Sequence, residues 1–152
     1  METHIKKIGL PLLFLCLFFS NFLVAGEVNL SVAKKHVTEV EASVANMLIN
    51  TDKKIFVLDV RSKAEYDQGH ISGAVLIPKE LLVENIFENK IYPEINKGIT
   101  PRSMQAIIVY SKDGNDGLLA GYALKKKDFN FIFNIRGGFQ SWQATSLNIE
   151  TN

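Results

Sequence analysis

Four short apolar runs, rich in β-branched and aromatic residues, constrain the fold of this chain more than any other feature. They are Ile55–Val60, Ala74–Pro78, Ala106–Ser111 and Phe131–Ile135. A short run that is apolar at nearly every position is typical of a parallel strand buried on both faces. Helical patterns separate these runs, so we predict an α/β fold with a central parallel sheet that is flanked by helices on both faces.

Apolar spacing and end signals predict the helices between these strands. The predicted helices are Glu39–Ile49, Ser62–Gln68, Glu80–Phe87, Leu118–Lys127 and Phe139–Ala144. Thr38 and Glu41 fit a capping box at the start of the first helix. In the helix from Leu118, the residues expected to face inward are Leu118, Leu119, Tyr122 and Ala123. Glu88–Ser103 is predicted to be a long polar connection.

The N-terminal segment has the pattern of a secretory signal peptide. Lys6 and Lys7 precede an apolar stretch at residues 8–26, which ends in small residues. We therefore expect export, with cleavage near Gly26 and a periplasmic or extracellular location. The alternative is an uncleaved membrane anchor, because 19 residues come close to spanning a bilayer. Lipoprotein processing at Cys16 fits poorly, because Leu15 stands where lipoproteins have a small residue.

Removal of residues 1–26 changes the chemistry that is open to the chain. Cys16 is the only cysteine, so the mature protein has no thiol and forms no disulfide. It then has 15 basic and 15 acidic residues, which does not suggest nucleic acid or an anionic membrane surface as a partner. We expect membrane contact only through an uncleaved N-terminal segment. No metal-ligand spacing or nucleotide-binding loop is evident, so no cofactor is predicted.

The predicted topology gives a candidate site without further information. Ligands of parallel sheets bind beyond the carboxyl ends of the strands. The run Ala106–Tyr110 ends at such a point, and a polar loop, Ser111–Asp116, follows it before a helix begins. We name Ser111–Asp116 the active loop; its residues are Ser111, Lys112, Asp113, Gly114, Asn115 and Asp116.

Three stretches in order resemble the rhodanese-like family. They are "LDVRSKAEYDQGHISGAVLIP" (58–78), "IIVYSKDGNDG" (107–117) and "IRGGFQSWQA" (135–144). The resemblance covers about residues 37–144 and implies a sheet of about five strands. The predicted organisation is a signal peptide at 1–26, a lead-in at 27–36, a rhodanese-like domain at 37–147 and a tail at 148–152.

The resemblance also implies a reaction, for which this chain lacks the reacting group. Active members of the family take sulfane sulfur onto a cysteine in this loop and pass it to cyanide or a thiol. This chain has Ser111 at that position. A serine hydroxyl ionises far less readily than a thiol, whose pKa is about 8.5, and it cannot form a persulfide. Ser111 is therefore predicted to mark a missing nucleophile.

Other chemistry at Ser111 needs partners that the sequence hardly offers. A hydrolytic serine needs a base oriented by a third group. The mature chain offers only His36, which is predicted to lie on the surface, and His70, which is structural in the family. The cell-cycle phosphatases that share this fold have a longer loop with cysteine and arginine. Transfer through the thiol of a partner protein remains the alternative enzymatic function.

The charges of the active loop differ from those of active members of the family. Asp116 stands where many of them have arginine, and Asp113 adds a second negative charge. Both would repel thiosulfate or phosphate, although Lys112 keeps a positive charge. We expect Asp116 mainly to cap the following helix.

The remaining motif residues are predicted to be structural. In the family, the positions of Asp59, Arg61 and Glu65 tie the loop to the sheet. The other structural motif residues are His70, Gly73, Gly137, Gly138 and Trp142, and Phe139 is expected in the core. The sequence thus predicts a rhodanese-like protein without sulfurtransferase activity. It would bind an unidentified protein or small ligand at the active-loop face.

Overall fold

A parallel sheet forms the centre of the computed structural model, which describes residues 30–82, 100–102 and 104–151. Its five strands are β1 (Thr38–Val40), β2 (Phe56–Asp59), β4 (Val75–Leu76), β5 (Ile107–Tyr110) and β6 (Ile132–Ile135). Their order in the sheet is β1-β6-β5-β2-β4, and every neighbouring pair is parallel. The predicted five-stranded α/β fold is therefore confirmed.

Helices cover both faces of this sheet, as predicted. They are α1 (residues 30–36 of the described chain), α2 (Ala42–Thr51), α3 (Lys63–Gln68), α4 (Asn115–Lys125) and α5 (Gly138–Ala144). Alternate residues along each strand enter two separate core layers. Leu58 and Val109 pack with α1 and α4, whereas Val57 and Ile108 pack with α2 and α5. Trp142 and Phe139 are buried in the second layer, as the sequence predicted.

The predicted start of the first helix is wrong. Thr38–Val40 forms edge strand β1, and α2 begins only at Ala42. The proposed capping box is absent, because the N-cap residue is Glu41 and its side chain makes no capping hydrogen bond. Backbone pairing of Thr38–Val40 with Phe133–Ile135 of β6 prevails over the local capping signal.

The helix predicted at Leu118–Lys127 begins earlier in the structure than the sequence suggested. Only some of the residues that were predicted to face the core are buried. Helix α4 begins at Asn115, directly after Gly114, which has a left-handed conformation. Leu118 is buried, but Leu119, Tyr122 and Ala123 are half-buried. The side of α4 that packs on the sheet includes Gly117, Ala120, Gly121 and Leu124, because the two glycines let the helix approach closely.

Both ends of the described chain join the packed unit beyond the predicted range of 37–147. Ala33 of α1 is fully buried, and Val37 beside it meets Gly121 of α4. At the other end, β7 (Ile149–Glu150) pairs antiparallel with β3 (His70–Ile71). Lys79–Leu81 forms a 3₁₀ turn. Most of the predicted helix Glu80–Phe87 and of the connection Glu88–Ser103 lies outside the described residues.

Candidate functional site

The active loop lies at the carboxyl end of β5, where the sequence placed it. Ser111 is only 3 % exposed. Its Oγ accepts a hydrogen bond from the backbone N–H of Gly114 at 3.1 Å. Gly114 has φ +94°, and a side chain there would meet the backbone of Gly137 and Ile135. The loop therefore folds back onto the Ser111 hydroxyl, and it does so with glycine at the position that needs a left-handed conformation.

The Gly-Gly motif brings the start of α5 against the active loop. The N–H of Phe139 donates to the Ser111 carbonyl at 2.8 Å, and the N–H of Gln140 donates to the Lys112 carbonyl at 3.0 Å. A Cβ on Gly138 would lie 2.3 Å from the Ser111 oxygen. Gly138 therefore permits a contact that any side chain would block. The two bonds also satisfy amides of α5 that have no partner within the helix.

Asn134 is a second anchor of the loop, which the sequence pattern did not predict. It is fully buried in β6, and its Nδ2 donates to the Gly114 carbonyl at 3.1 Å. Its Oδ1 is a buried side-chain atom without a hydrogen-bond partner in the described structure. A polar residue inside the otherwise apolar run Phe131–Ile135 was the available signal, because buried polar groups are normally hydrogen-bonded.

Asp59 and Arg61 form a buried ion pair behind the loop. The Arg61 guanidinium donates to Asp59 Oδ2 at 2.6 Å and to the Gly69 carbonyl at 2.8 Å. It also lies 3.9 Å from the centre of the Phe139 ring. Burial alone lowers the pKa of Arg61, but the hydrogen bond to Asp59 and its charge leave that pKa raised. The pair thus joins the end of β2 to the segment that follows α3.

Tyr110 packs beside this ion pair. Burial, followed by the nearby charge of Asp59, raises the pKa of Tyr110 well above its usual value. Its hydroxyl is therefore neutral, and it accepts a hydrogen bond from the N–H of Ile71 at 3.2 Å. Tyr110 also lies close to the Arg61 guanidinium. These contacts bring Tyr110 and Arg61 together beneath the active loop.

Glu65 completes a capping box on α3. The Ser62 N–H donates to the Glu65 carboxylate at 3.1 Å, and the Glu65 N–H donates to Ser62 Oγ at 3.3 Å. The hydrogen bond from the Ser62 side chain is the main cause that lowers the pKa of Glu65. In this structure Glu65 therefore stabilises the helix start, a local role that the Ser-x-x-Glu spacing itself could have predicted.

His70 and Gly73 belong to the small β3–β7 sheet and its turn. His70 is 4 % exposed, stacks on Tyr66 with ring centres 3.7 Å apart, and has Nε2 3.7 Å from a Glu150 oxygen. Gly73 has φ +75° and its N–H donates to Glu150 at 3.2 Å. No hydrogen bond joins Ser111 to a histidine among the residues that the structure describes. His36 is exposed, as predicted.

Asp116 lies in the first turn of α4, where an acidic side chain is favourable, but it is not the N-cap residue. The N-cap residue of α4 is Gly114, and Asp113 accepts the Asn115 N–H at 3.0 Å. Asp116 instead pairs with Lys79, whose Nζ lies 2.7 Å from its carboxylate. The hydrogen bond to Asp116 is the main cause that raises the pKa of Lys79. Lys79 was missed, although it follows strand β4 and so falls at the same edge of the sheet.

The active loop opens onto two neighbouring cavities. One, of about 300 Å³, is lined by Ser111 and the side chains of Lys112, Asp113, Asp116 and Lys79. The other, of about 320 Å³, lies between α3 and α5 and includes three glutamines. The two cavities share Arg61, Glu65 and Lys112. Within the described ranges, no group of three or more histidine, cysteine or acidic side chains could hold a metal ion.

These features define a class of protein: a parallel α/β domain whose central strand leads into a glycine-containing loop held against a helix N-terminus. The family model for the rhodanese-like domain matches residues 41–145. The chain therefore belongs to the rhodanese-like family.

Individual relatives agree with this assignment. The chain is 31 % identical over 94 residues to the "Probable adenylyltransferase/sulfurtransferase MoeZ" of Mycobacterium tuberculosis. That match covers 62 % of this chain and 21 % of the relative, so the chain spans about a fifth of the relative's length.

Two solved structures are similar in fold. The rhodanese-like domain of the Anabaena protein Alr3790 has a TM-score of 0.62 at 24 % identity, covering 75 % of this chain and 79 % of that one. A rhodanese-related protein of Thermoplasma volcanium has a TM-score of 0.62 at 23 % identity, covering 76 % and 99 %.

Proposed function

We propose that this rhodanese-like protein has no sulfurtransferase activity of its own and acts as a binding or regulatory module through the active-loop face. The observation that carries the proposal is Ser111, which stands at the nucleophile position of the loop. Its hydroxyl is buried and accepts the Gly114 N–H. No sulfur-accepting atom is available there, because a serine oxygen cannot form the S–S bond of a persulfide.

The charges of the loop support the same proposal. An anionic sulfur donor would approach a cavity lined by the carboxylates of Glu65, Glu80, Asp113 and Asp116. Two cations from outside the loop also line this cavity, but Lys79 is already paired with Asp116 and Arg61 with Asp59. Like charges in a partly enclosed site raise the energy of a bound anion. A neutral or cationic group of a partner fits this face better than thiosulfate does.

Thiosulfate:cyanide sulfurtransferase activity is the direct test. The unmodified protein is compared with Ser111→Cys, with Ser111→Cys/Asp116→Arg and with Ser111→Ala as the control. We expect no turnover by the unmodified protein or by Ser111→Ala. We expect the double variant to exceed Ser111→Cys, because it removes the repelling carboxylate as well as supplying the thiol.

The possible results separate the parts of the proposal. Turnover by the unmodified protein that is lost in Ser111→Ala would refute it and would require a serine mechanism. Turnover that appears only after a thiol protein is added would support the alternative of transfer through a partner. If both cysteine variants are inactive, the loop has diverged beyond positions 111 and 116. In that case binding partners of the loop face become the main question.

We also propose that the protein is exported. The support is the basic start and apolar stretch at residues 1–26. No helix among the described residues, 30–82, 100–102 and 104–151, is long and apolar enough to cross a membrane. N-terminal sequencing of the exported protein is the test, with a new terminus near residue 27 expected. An intact terminus in the membrane fraction would favour a retained anchor.

A further inference from the structure

The chain connections that enter β1, β6, β5 and β2 lie at the end of the sheet opposite the active loop. Strands β1, β6, β5 and β2 are parallel and adjacent, so their amino ends form one edge. With neighbouring strands about 4.8 Å apart, this edge is about 14 Å wide. Helix α4 leads from the loop to this edge over 11 residues, a length of about 16 Å. The side chains of these connections therefore form a single surface.

These connections are rich in cations. Each of the four contains at least one basic residue, and we name the surface they form the basal surface. Its cations are Lys34, Lys35, Lys53, Lys54, Arg102, Lys125, Lys126 and Lys127. The acidic residues described in the same connections are Asp52 and Asp128. Glu150, which accepts the Gly73 N–H at the entry to β4, is a third acid at this edge. Among the described residues, eight cations against three acids make this end positive, although the whole chain has a formal charge of only +1.

Specific contacts bring the cationic connections together. The His36 ring stacks on Tyr122 with 5.4 Å between centres, and Lys126 Nζ lies 4.9 Å from the same Tyr122 ring. The end of α1 therefore lies beside the end of α4. On the other side, the Gln105 amide donates to the Lys54 carbonyl at 2.6 Å. The entry to β5 is thus joined to the entry to β2.

Exposed apolar side chains lie among these cations. Met104 is 73 % exposed and Phe131 is 49 % exposed. Both line a cavity of about 750 Å³ together with Lys54 and Arg102. Lysines beside exposed aromatic and aliphatic side chains are the combination found on protein surfaces that bind the interface of an anionic bilayer.

We propose that the basal surface binds anionic phospholipid bilayers and orients the domain with the active loop away from the membrane. The exposed Met104 and Phe131 among these cations favour a bilayer over a polyanion that has no apolar interior. The N-terminal sequence adds to this only where the apolar segment is retained. The apolar residues 8–26 end four residues before Leu30, a distance of at most about 14 Å. Helix α1 then leads directly to the basal surface at Lys34 and Lys35. A retained segment would tether this end of the domain, and a removed one would leave the charges to act alone.

Hydrogen exchange of the full chain tests this proposal. Exchange is measured with vesicles of phosphatidylcholine alone and with vesicles containing 30 mol % phosphatidylglycerol, at low salt and at 0.5 M NaCl. Each lysine near such a surface adds about 1 kcal/mol to binding, so the anionic vesicles should hold this end of the domain against the bilayer. We expect amides of residues 30–37 and 122–131 to exchange more slowly with the anionic vesicles. High salt should abolish the difference.

Variants that remove cations at opposite ends of the sheet assign the effect to the basal surface. Lys34→Gln/Lys35→Gln/Lys125→Gln/Lys126→Gln should lose the slowing. Lys63→Gln/Arg136→Gln, which removes charges at the carboxyl end of the sheet, should keep it. Equal slowing with both vesicle types, or slowing that survives the fourfold neutralisation, would overturn the proposal in favour of the apolar segment alone. Equal slowing by a single-stranded RNA at the same phosphate concentration would replace it with a general polyanion site.

Discussion

Substitution of Arg61 gives a sharp test of whether the charged motif around the loop is structural. Arg61→Met keeps most of the side-chain length and its packing on Phe139, but removes the guanidinium. Asp59 is fully buried, and it would lose its charged partner. The Gly69 carbonyl would lose a hydrogen bond of 2.8 Å as well. Breaking one side of a buried ion pair costs about 3–5 kcal/mol.

That loss is large compared with the stability of a small domain, which is about 5–15 kcal/mol. In urea unfolding, with a slope of about 2 kcal/mol per molar, the midpoint should fall by about 2 M. Arg136→Met is the matched control. Arg136 pairs with Glu41, and both side chains are 59 % exposed. Its loss should change the free energy of unfolding by less than about 1 kcal/mol.

A double substitution separates the cost of leaving Asp59 buried without a partner from the cost of losing the Arg61 side chain. Asp59→Leu/Arg61→Met removes both charges and leaves no buried ion without a partner. It should be more stable than Arg61→Met alone. If Arg61→Met costs no more than Arg136→Met, Asp59 is not held by this ion pair, and the structural assignment of the motif is refuted.

Two further predictions concern local geometry. Gly138→Ala should destabilise the fold by at least about 3 kcal/mol, because it adds overlap with the Ser111 carbonyl to the strain of a left-handed alanine. Gly73→Ala, which meets no atom within 4 Å, should cost only about 1–2 kcal/mol in urea unfolding. Ser62→Ala should cost about 1 kcal/mol at neutral pH. Because the folded pKa of Glu65 is lowered, that stabilisation is present above its unfolded pKa, and the difference between Ser62→Ala and the unmodified protein should shrink as the pH falls below about 4. A difference that is independent of pH would contradict this origin.

The buried strands could be predicted because each is apolar along its length. A short apolar run between polar segments is typical of a strand that is buried on both faces. Strand β1 could not, since Thr38–Val40 is short, lies at an edge and contains two polar residues, Thr38 and Glu39. The pairing of His70–Ile71 with Ile149–Glu150 involves two residues on each side and 77 or more residues between them. Nothing local in the sequence marks such a contact.

The concentration of cations on the basal surface could not be predicted from the sequence for a similar reason. Counting charges along the chain mixes residues that precede strands with residues that follow them. In a parallel sheet, the first group lies at one end and the second at the other. Lys53 and Lys54 come before β2, whereas Asp59 closes the same strand at the opposite end. The topology must be known before the charges can be assigned to a surface.

The contacts of the active loop also explain how the family motifs are compatible with a serine at position 111. The N–H groups of Phe139 and Gln140 donate to the backbone carbonyls of Ser111 and Lys112, and Gly138 lies against the Ser111 carbonyl. None of these contacts involves the side chain at position 111. Asn134 likewise holds the Gly114 carbonyl. These interactions stabilise the loop whether residue 111 is serine or cysteine. Motif retention is therefore evidence for the fold alone, and the functional inference depends on Ser111 and on the Lys79–Asp116 pair.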